Sequence, residues 1–354
     1  MGIAECGVHI HLQTCKLAYL QTRHPPPATR HFDFNRAFEY SVFMRIGTNS
    51  IVTNAQGHVL LIQRNDSRSF APPGGALDLN ELPPESAARE VAEETGLEVA
   101  VTRLLGLYLW PNGDGFLSFV FHCRPLGGAL RTSAESLHVG FHDPQALPRP
   151  MADLHRQRVA QSVAQSLAHA DGVQWAVQRT SWRTRLTYLA LTQVVYRWMD
   201  WRRQWMGLPP YQPPPRWRVS AFVAARNAAG AALWVKRPWQ EAWSLPGGAG
   251  HTGEAPWTTA VRHARVQTGL HVRLTGLSGV YLARGRSEMA LVFTAAPAAK
   301  PPTGAAYFTP GAEPAACAPQ HAAYAADAVG GAQEPVFRFS VAQTSLVARS
   351  SKDA

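Results

Sequence analysis

The chain has 354 residues, 34 Lys and Arg against 24 Asp and Glu for a net charge of +10, and 46% hydrophobic residues. That length favours two domains with two cores, and no run of 18 apolar residues marks a transmembrane helix. Four scattered cysteines (Cys6, Cys15, Cys123, Cys317) rule out a disulfide lattice or a cysteine zinc site, and no charged and then apolar leader opens the chain, so a cytoplasmic protein is expected.

Residues 1–40 are poorly patterned and broken by Pro25-Pro26-Pro27; they read as an N-terminal extension, with His9-x-His11 an adventitious pair. A first domain is expected over 41–172. Segments 45–54 and 58–64 read as strands. Pro72-Pro73-Gly74-Gly75 then marks a tight turn with exposed backbone. Pro83 and Pro84 suit a first helical turn, Glu85 to Thr95 are mostly helix formers, and Gly96 sits at the expected left-handed cap. Residues 98–108 and 116–124 read as further strands, Leu137 to Phe141 as another, and Asp153 as the cap of a helix running to about 169.

On the helix, Glu90 lies three and four residues before Glu93 and Glu94, so all three carboxylates share a face. Unpaired, they repel and their pKa values rise. A hard divalent cation removes that penalty. Arg89, four residues before Glu93, can hold a carboxylate by charge-assisted hydrogen bonds.

Residues 75–97 read G-x5-E-x7-R-E-V-x-E-E-x-G-L: Gly75, Glu81, Arg89, Glu90, Val91, Glu93, Glu94, Gly96, Leu97. This resembles the Nudix box of Mg²⁺-dependent hydrolases that split nucleoside diphosphates linked to another group. The resemblance implies an α+β fold, two tandem α/β/α sandwiches with a mixed sheet between helices. It implies Glu93, Glu94 and the Gly75 carbonyl as metal ligands, Glu90 as ligand or general base, and Arg89 and Glu81 as orienting residues. A further acid comes from outside the box, with Glu135 as the candidate. The metal expected is Mg²⁺, with Mn²⁺ as the alternative.

A shift of 173 residues superimposes much of the chain on itself. Val59 to Arg64 matches Ala232 to Arg237, Pro73-Gly74-Gly75 matches Pro246-Gly247-Gly248, and Gly106-Leu107-Tyr108 matches Gly279-Val280-Tyr281. Residues 140–155 also resemble 307–321 with a one-residue slip: Phe141, Pro148 and His155 find partners in Phe308, Pro314 and His321. A second domain of the same fold is therefore expected over 216–330, with a loose tail from 331 and little order in the Ala-, Pro- and Gly-rich 295–334. Its box keeps Gly248, Glu254, Arg262, Gly269 and Leu270, but His263, Val266 and Gln267 stand where Glu90, Glu93 and Glu94 stand in the first. Residues 75–97 hold six acids and one Arg; residues 248–270 hold one Glu and two Arg. The second copy is expected not to hydrolyse, and either to complete the substrate pocket or to pack as a pseudo-dimer; a homodimer is the other arrangement. Gly248-x-Gly250-x-x-Gly253 mimics a dinucleotide fingerprint, but no acid follows between Ala255 and Ser287 to hold a ribose.

Residues 173–215 join the domains. Trp175, Trp182, Leu189 and Tyr196 recur every seven residues, which predicts a helix. Residues 173–217 hold seven Arg, one Asp and six of the 11 Trp. Such a segment packs between domains, binds nucleic acid, or lies on a membrane; packing is the favoured expectation.

The sequence thus points to a pyrophosphohydrolase, with a nucleotide-sensing or nucleic-acid-binding protein on the same scaffold as the rival. Tyr108 and Trp110 are candidates for stacking on a base, with core strand residues as the alternative, and Arg64 is a third candidate substrate contact. Pro111 follows the box as a proline does in some relatives that hydrolyse ADP-ribose. ADP-ribose is therefore one candidate beside NADH, sugar nucleotides and nucleoside triphosphates.

Overall fold

The computed structural model describes residues 43–340, except 113–114, 168–171, 183–185, 187–188, 191–193, 195, 209–211, 237–241, 297–302, 310 and 330–333. The extension at 1–40 and the last residues of the expected tail lie outside the described residues. Contacts divide the chain into Met1–Glu39 and Tyr40–Ala354, so both copies of the repeat belong to one compact unit.

The first copy comprises β1 (Phe43–Val52), β2 (Val59–Arg64), β3 (Phe70–Ala71), α1 (Pro83–Thr95), β4 (Leu97–Trp110), β5 (Phe116–Gly128), β6 (Ser136–His142), α2 (Asp153–Leu167) and β7 (Gln174–Val177). A short helix, α3 (Tyr196–Trp205), lies between the copies. The second copy comprises β8 (Arg216–Ala225), β9 (Ala232–Lys236), β10 (Trp243–Ser244), β11 (Gly247–Ala249), α4 (Pro256–Thr268), β12 (Leu274–Leu282), β13 (Glu288–Ala295), β14 (Ala305–Phe308), α5 (Pro319–Val329) and β15 (Val336–Phe339).

The large mixed sheet runs β15-β12-β13-β8-β1-β5-β4-β7, with β11 beside β8. Each copy adds a small sheet, β3-β2-β6 and β10-β9-β14. β1 and β8 pair antiparallel at the centre, Phe43 with Arg218, Met44 with Trp217, and Arg45 with Arg216. Under the 173-residue shift Phe43 corresponds to Arg216 and Arg45 to Arg218. The pairing is therefore self-complementary about Met44 and Trp217, as an isologous dimer contact is. The outer strands repeat the symmetry: Trp175 of β7 packs edge-on to Phe293 of β13 at 5.6 Å, and Phe337 of β15 packs on Phe121 of β5 at 5.6 Å.

One continuous apolar cluster takes in α1 residues Ala87 and Val91, α4 residues Ala260 and Ala264, and strand residues of both copies. Separate clusters lie under α2, where Val159 meets Ile51, Leu61 and Tyr108, and under α5, where Tyr324, Ala325 and Ala328 meet Tyr281 and Trp234. Helices thus cover both faces of the sheet, which explains why β1 is buried almost throughout.

Three expectations are corrected. Residues 174–177 form strand β7, parallel to β4, rather than the start of a helix. Residues 305–308, 319–329 and 336–339 form β14, α5 and β15, so the second copy is ordered past residue 330. Local composition gave no sign of these elements because their partners, β9, the sheet face and β12, are distant in sequence. Finally, of the six tryptophans expected to pack between the copies, Trp175 and Trp217 do so, but Trp182, Trp198, Trp201 and Trp205 are exposed, at 66%, 54%, 61% and 78%. The copies meet through β1 and β8 and through their outer strands β7 and β15.

Candidate active site

Local sequence sets the box helix. Pro83 opens α1, and the Glu85 carboxylate accepts the Leu82 N–H at 2.8 Å, one half of a capping box. Gly96 ends it at φ 77°, its N–H donating to the Ala92 carbonyl. The preceding loop runs antiparallel beside β1: Thr48 N–H donates to the Gly75 carbonyl at 2.9 Å and Ser50 N–H to the Pro73 carbonyl at 2.8 Å. The intervening Gly74 N–H faces α1 and donates to Glu94 Oε2 at 2.8 Å. A Cβ on Gly75 would collide with the Glu90 carboxylate, so glycine is what lets loop and helix approach so closely.

Glu90 and Glu94 sit on the buried side of α1, while Glu93 lies at its exposed edge. Arg89 grips Glu81 with two hydrogen bonds, Nε to Oε1 at 2.7 Å and Nη2 to Oε2 at 3.1 Å. Its Nη1 donates to Glu90 Oε1 and Glu93 Oε2, both at 3.0 Å. One planar guanidinium thus fixes three carboxylates, a geometry lysine cannot reproduce. The Glu81 hydrogen bond, against the opposing effect of burial, holds the Arg89 pKa above its ordinary value.

Burial pushes Glu90 up to about 7 despite Arg89 beside it. Burial likewise pushes Glu94 up to about 8, against the Gly74 N–H and with the charge of Glu90 adding to the shift. Glu135, exposed just before β6, is near enough to raise both, and Arg64 is near enough to lower Glu94. Arg64 is itself held by Asp66 at 2.7 Å. Next to Glu135, the Ser136 hydroxyl donates to the Glu94 carbonyl at 2.6 Å, which fastens β6 to the end of α1.

The structure therefore gathers Arg89, Glu81, Glu90, Glu93, Glu94, Glu135 and Arg64. It does not bring Tyr108 and Trp110 to a stacking surface. Tyr108 is 1% exposed in the core beneath α2, and Trp110 is buried with its indole N–H donating to Thr180 Oγ1 at 3.1 Å. β4 is covered on both faces, so its aromatic rings are core residues. The Gly75 carbonyl, the ligand expected from the motif, accepts the Thr48 N–H on the β1 side. The carbonyl of Gly74, which accepts no hydrogen bond among the described residues, is the one turned away from β1. Motif spacing identifies the glycine but not the direction of its carbonyl.

Among the described residues no three His, Cys, Asp or Glu side chains form a closed ligand cluster. The donors at hand are the carboxylates of Glu90, Glu93, Glu94 and Glu135 and the Gly74 carbonyl. All are hard oxygens, and two of them are buried carboxylates with raised proton affinity. That donor chemistry fits Mg²⁺ or Mn²⁺.

In the second copy Arg262 grips Glu254 through Nε and Nη2, both at 2.8 Å. Burial would raise the Glu254 pKa, but the Arg262 hydrogen bond and the His251 N–H outweigh it and hold it at about 2. Gln267 accepts the Gly247 N–H at 3.0 Å and donates to the Gly247 carbonyl at 2.9 Å. His263 Nε2 lies 2.9 Å from the Ala249 carbonyl, and Val266 is exposed. Side chains without a carboxylate close on the backbone here.

Sequence reasoning missed Arg158. A residue of α2, it is buried and has no carboxylate partner among the described residues; it is bonded to Asn49 Oδ1 and to Gln178 Oε1 at 3.0 and 2.8 Å, with its pKa lowered by burial to about 9. Its place next to Val159, at the edge of the apolar helix stripe, was the available signal.

Residues 44–163 and 216–333 each match the NUDIX domain family. A MutT-like protein of Streptomyces ambofaciens is 38% identical over 114 residues, 32% of this chain and 73% of that protein. An ADP-ribose pyrophosphatase of Methanocaldococcus jannaschii is 36% identical over 97 residues, 26% of this chain and 57% of that protein. An 8-oxo-dGDP phosphatase of Homo sapiens is 34% identical over 130 residues, 34% of this chain and 40% of that protein. The matched part therefore spans about half the length of the latter two relatives. Among solved structures, an ADP-ribose pyrophosphatase from Streptococcus suis aligns at 23% identity and TM-score 0.33, covering 37% of this chain and 98% of that one.

Proposed function

Because the chain belongs to the Nudix domain family, whose match covers 44–163 and 216–333, we propose that its first copy hydrolyses the phosphoric anhydride of a nucleoside diphosphate linked to another group. The cofactor is Mg²⁺ or Mn²⁺, held by Glu90, Glu93, Glu94, Glu135 and the Gly74 carbonyl. The observation that carries this reading is the buried Glu90–Glu94 pair, whose raised proton affinity marks a place built for a cation.

When bound, the metal supplies a Lewis acid to the phosphate oxygens and lowers the pKa of the attacking water. The chain's own residues do the rest. Glu81 anchors Arg89, and Arg89 sets the direction of Glu90 and Glu93. Glu90 commits Oε1 to Arg89 and keeps Oε2 to take a proton from water. Glu94 is held by the Gly74 N–H at Oε2, which leaves Oε1 as the oxygen that would bind the ion. Arg64 stands where it can meet a substrate phosphate. The second copy does not hydrolyse, because Gln267 and His263 are satisfied by backbone and carry no negative charge.

The substrate is a nucleotide-type diphosphate. The names of two relatives add ADP-ribose and 8-oxo-dGDP to the front of a panel with NADH, sugar nucleotides and nucleoside triphosphates. The test is that panel with Mg²⁺, reading phosphate after phosphatase coupling, for wild type and Glu94→Gln. Turnover of one substrate class that falls by about 10²-fold or more in the variant is expected. No turnover, or turnover that survives the substitution, overturns the reading.

A further inference from the structure

The second copy contains a cavity of about 360 Å³ between β8, β12, β13 and the start of α5. In the first copy three of the corresponding positions differ. Asn49, Arg158 and Gln178 form a hydrogen-bonded plug there. By strand register the counterpart of Asn49 is Phe222, since Asn49 pairs with Val120 and Phe222 with Val292. Gln178 corresponds to Ser340, whose N–H meets Leu282 as that of Gln178 meets Leu109, both at 2.8 Å. Arg158 corresponds to Tyr324, three residues past the matching His155 and His321. Two aromatic rings and a small hydroxyl thus line the cavity where the first copy holds this hydrogen-bonded group.

The cavity has two kinds of wall. Inside, Phe222, Tyr281 and Tyr324 form a ring cluster, with the two tyrosines 4.2 Å apart and Phe222 5.8 Å from Tyr324. At the rim stand Arg218, Arg284 and Arg286 against one acid, Glu288, which lies 3.8 Å from Arg218 and 3.5 Å from Arg286. Arg284 lies over the Phe339 ring at 4.2 Å and has no carboxylate partner among the described residues. The first turn of α5 also faces the cavity through Gln320 and His321, and a helix start favours an anion. Aromatic walls, three guanidinium groups and an adequate volume suit a ring joined to phosphate.

The rim is tied to the first copy's box. Gly285, between Arg284 and Arg286, donates its N–H to Asn80 Oδ1 at 2.6 Å. Asn80 immediately precedes Glu81, the anchor of Arg89, and its φ of 64° holds a tight turn. We propose that this cavity is a binding site for a nucleoside diphosphate, distinct from the box, and that its occupancy is felt at the box through the Gly285–Asn80 hydrogen bond.

The test needs no turnover, so its failure and that of the hydrolase reading are separable. The probes are ADP, GDP, CDP and UDP, titrated calorimetrically in EDTA into the full chain carrying Glu94→Gln. At least one is expected to bind saturably at a single site. Arg284→Gln with Arg286→Gln should weaken that binding by about tenfold or more, since each lost charge-assisted hydrogen bond has about that effect. The melting temperature should be unchanged. Rebuilding the plug with Phe222→Asn, Tyr324→Arg and Ser340→Gln should abolish binding. Amide exchange of residues 78–82 should slow when the probe is added, and Asn80→Ala should remove that response while binding remains. No binding of any probe at millimolar concentration, binding indifferent to the arginine variants, or unchanged exchange at 78–82 overturns the proposal.

Discussion

The two boxes of this chain share a clip and differ in what hangs on it. In both, an arginine grips a glutamate eight residues earlier through two hydrogen bonds, the helix opens on proline, and a left-handed glycine closes it. In the first, the next groups along the helix are carboxylates with raised proton affinity. In the second they are His263 and Gln267, satisfied by backbone carbonyls and amides. The clip is a folding device, worth keeping in either copy because it joins loop to helix. The carboxylates are a local cost that only a cation removes. Copies of one fold therefore separate scaffold from site more cleanly than either copy alone.

The largest expected effect breaks the frame that holds the copies together. Trp217 is fully buried on the pseudo-axis, paired with Met44. Trp217→Ala should cost about 3–5 kcal/mol, read as a drop in denaturant midpoint. If the copies were independent, only the second would lose stability and the unfolding curve would split into two transitions. A single cooperative shift is expected, because β1 and β8 belong to one sheet.

Next is the exchange of one box residue for its counterpart. In metal-free protein Glu94→Gln should stabilise while it removes activity. A glutamine there can accept the Gly74 N–H and donate to the Gly74 carbonyl, as Gln267 does at Gly247. The sign follows from proton linkage. The folded state holds Glu90 at about 7 and Glu94 at about 8, above the ordinary 4.5, so between those values it binds more protons than the unfolded state. The contribution of this pair to stability then falls as pH rises from about 4.5 to about 8. Glu254 works the other way. At about 2 in the folded state, its contribution is present above 4.5 and lost as pH falls toward 2. Thermal melts in EDTA between pH 6.5 and 8, above the range where the lowered pKa values of His122, His142 and His155 act, should show wild type weakening by on the order of 2 kcal/mol, and Glu94→Gln flattening that decline. A wild-type profile that rises toward pH 8 would mean the pair is not buried as described. The converse exchange, Gln267→Glu, should destabilise at pH 8 by a similar amount and leave the low-pH stability intact.

How much of this was legible in the sequence follows the same division. The limits of α1, the glycine stop and the hold of Arg89 on Glu93 could be read from spacing, because each depends on contacts within one helix and its loop, whereas Glu81 came from the family motif. β7 and β15 could not. Trp175 continued a seven-residue apolar rhythm that favours a helix, yet it is a strand residue because β4 offers an edge and Phe293 a ring. The direction of the Gly74 carbonyl depends on pairing with β1, a fact of register. The second copy's cavity depends on Phe222, Tyr324 and Ser340 meeting in space, and only alignment of the copies shows that each replaces a member of the first copy's plug.

The smallest expected effect concerns the stretch outside both copies. Trp198, Trp201 and Trp205 are exposed, and Arg202 lies over the Trp198 ring at 5.7 Å. A tryptophan that packs in a core contributes through burial, and its loss is measured in kcal/mol. One that already faces solvent has little burial to lose. Trp201→Ser should therefore change the unfolding free energy by no more than about 0.5 kcal/mol, in clear contrast to Trp217→Ala. A larger loss, measured by the same denaturant melt, would mean that Trp201 is covered in solution and that the packing expected from its sequence is restored. With stability unchanged, the same variant isolates any role of this surface in contacts beyond the chain, because the fold is left intact in the comparison.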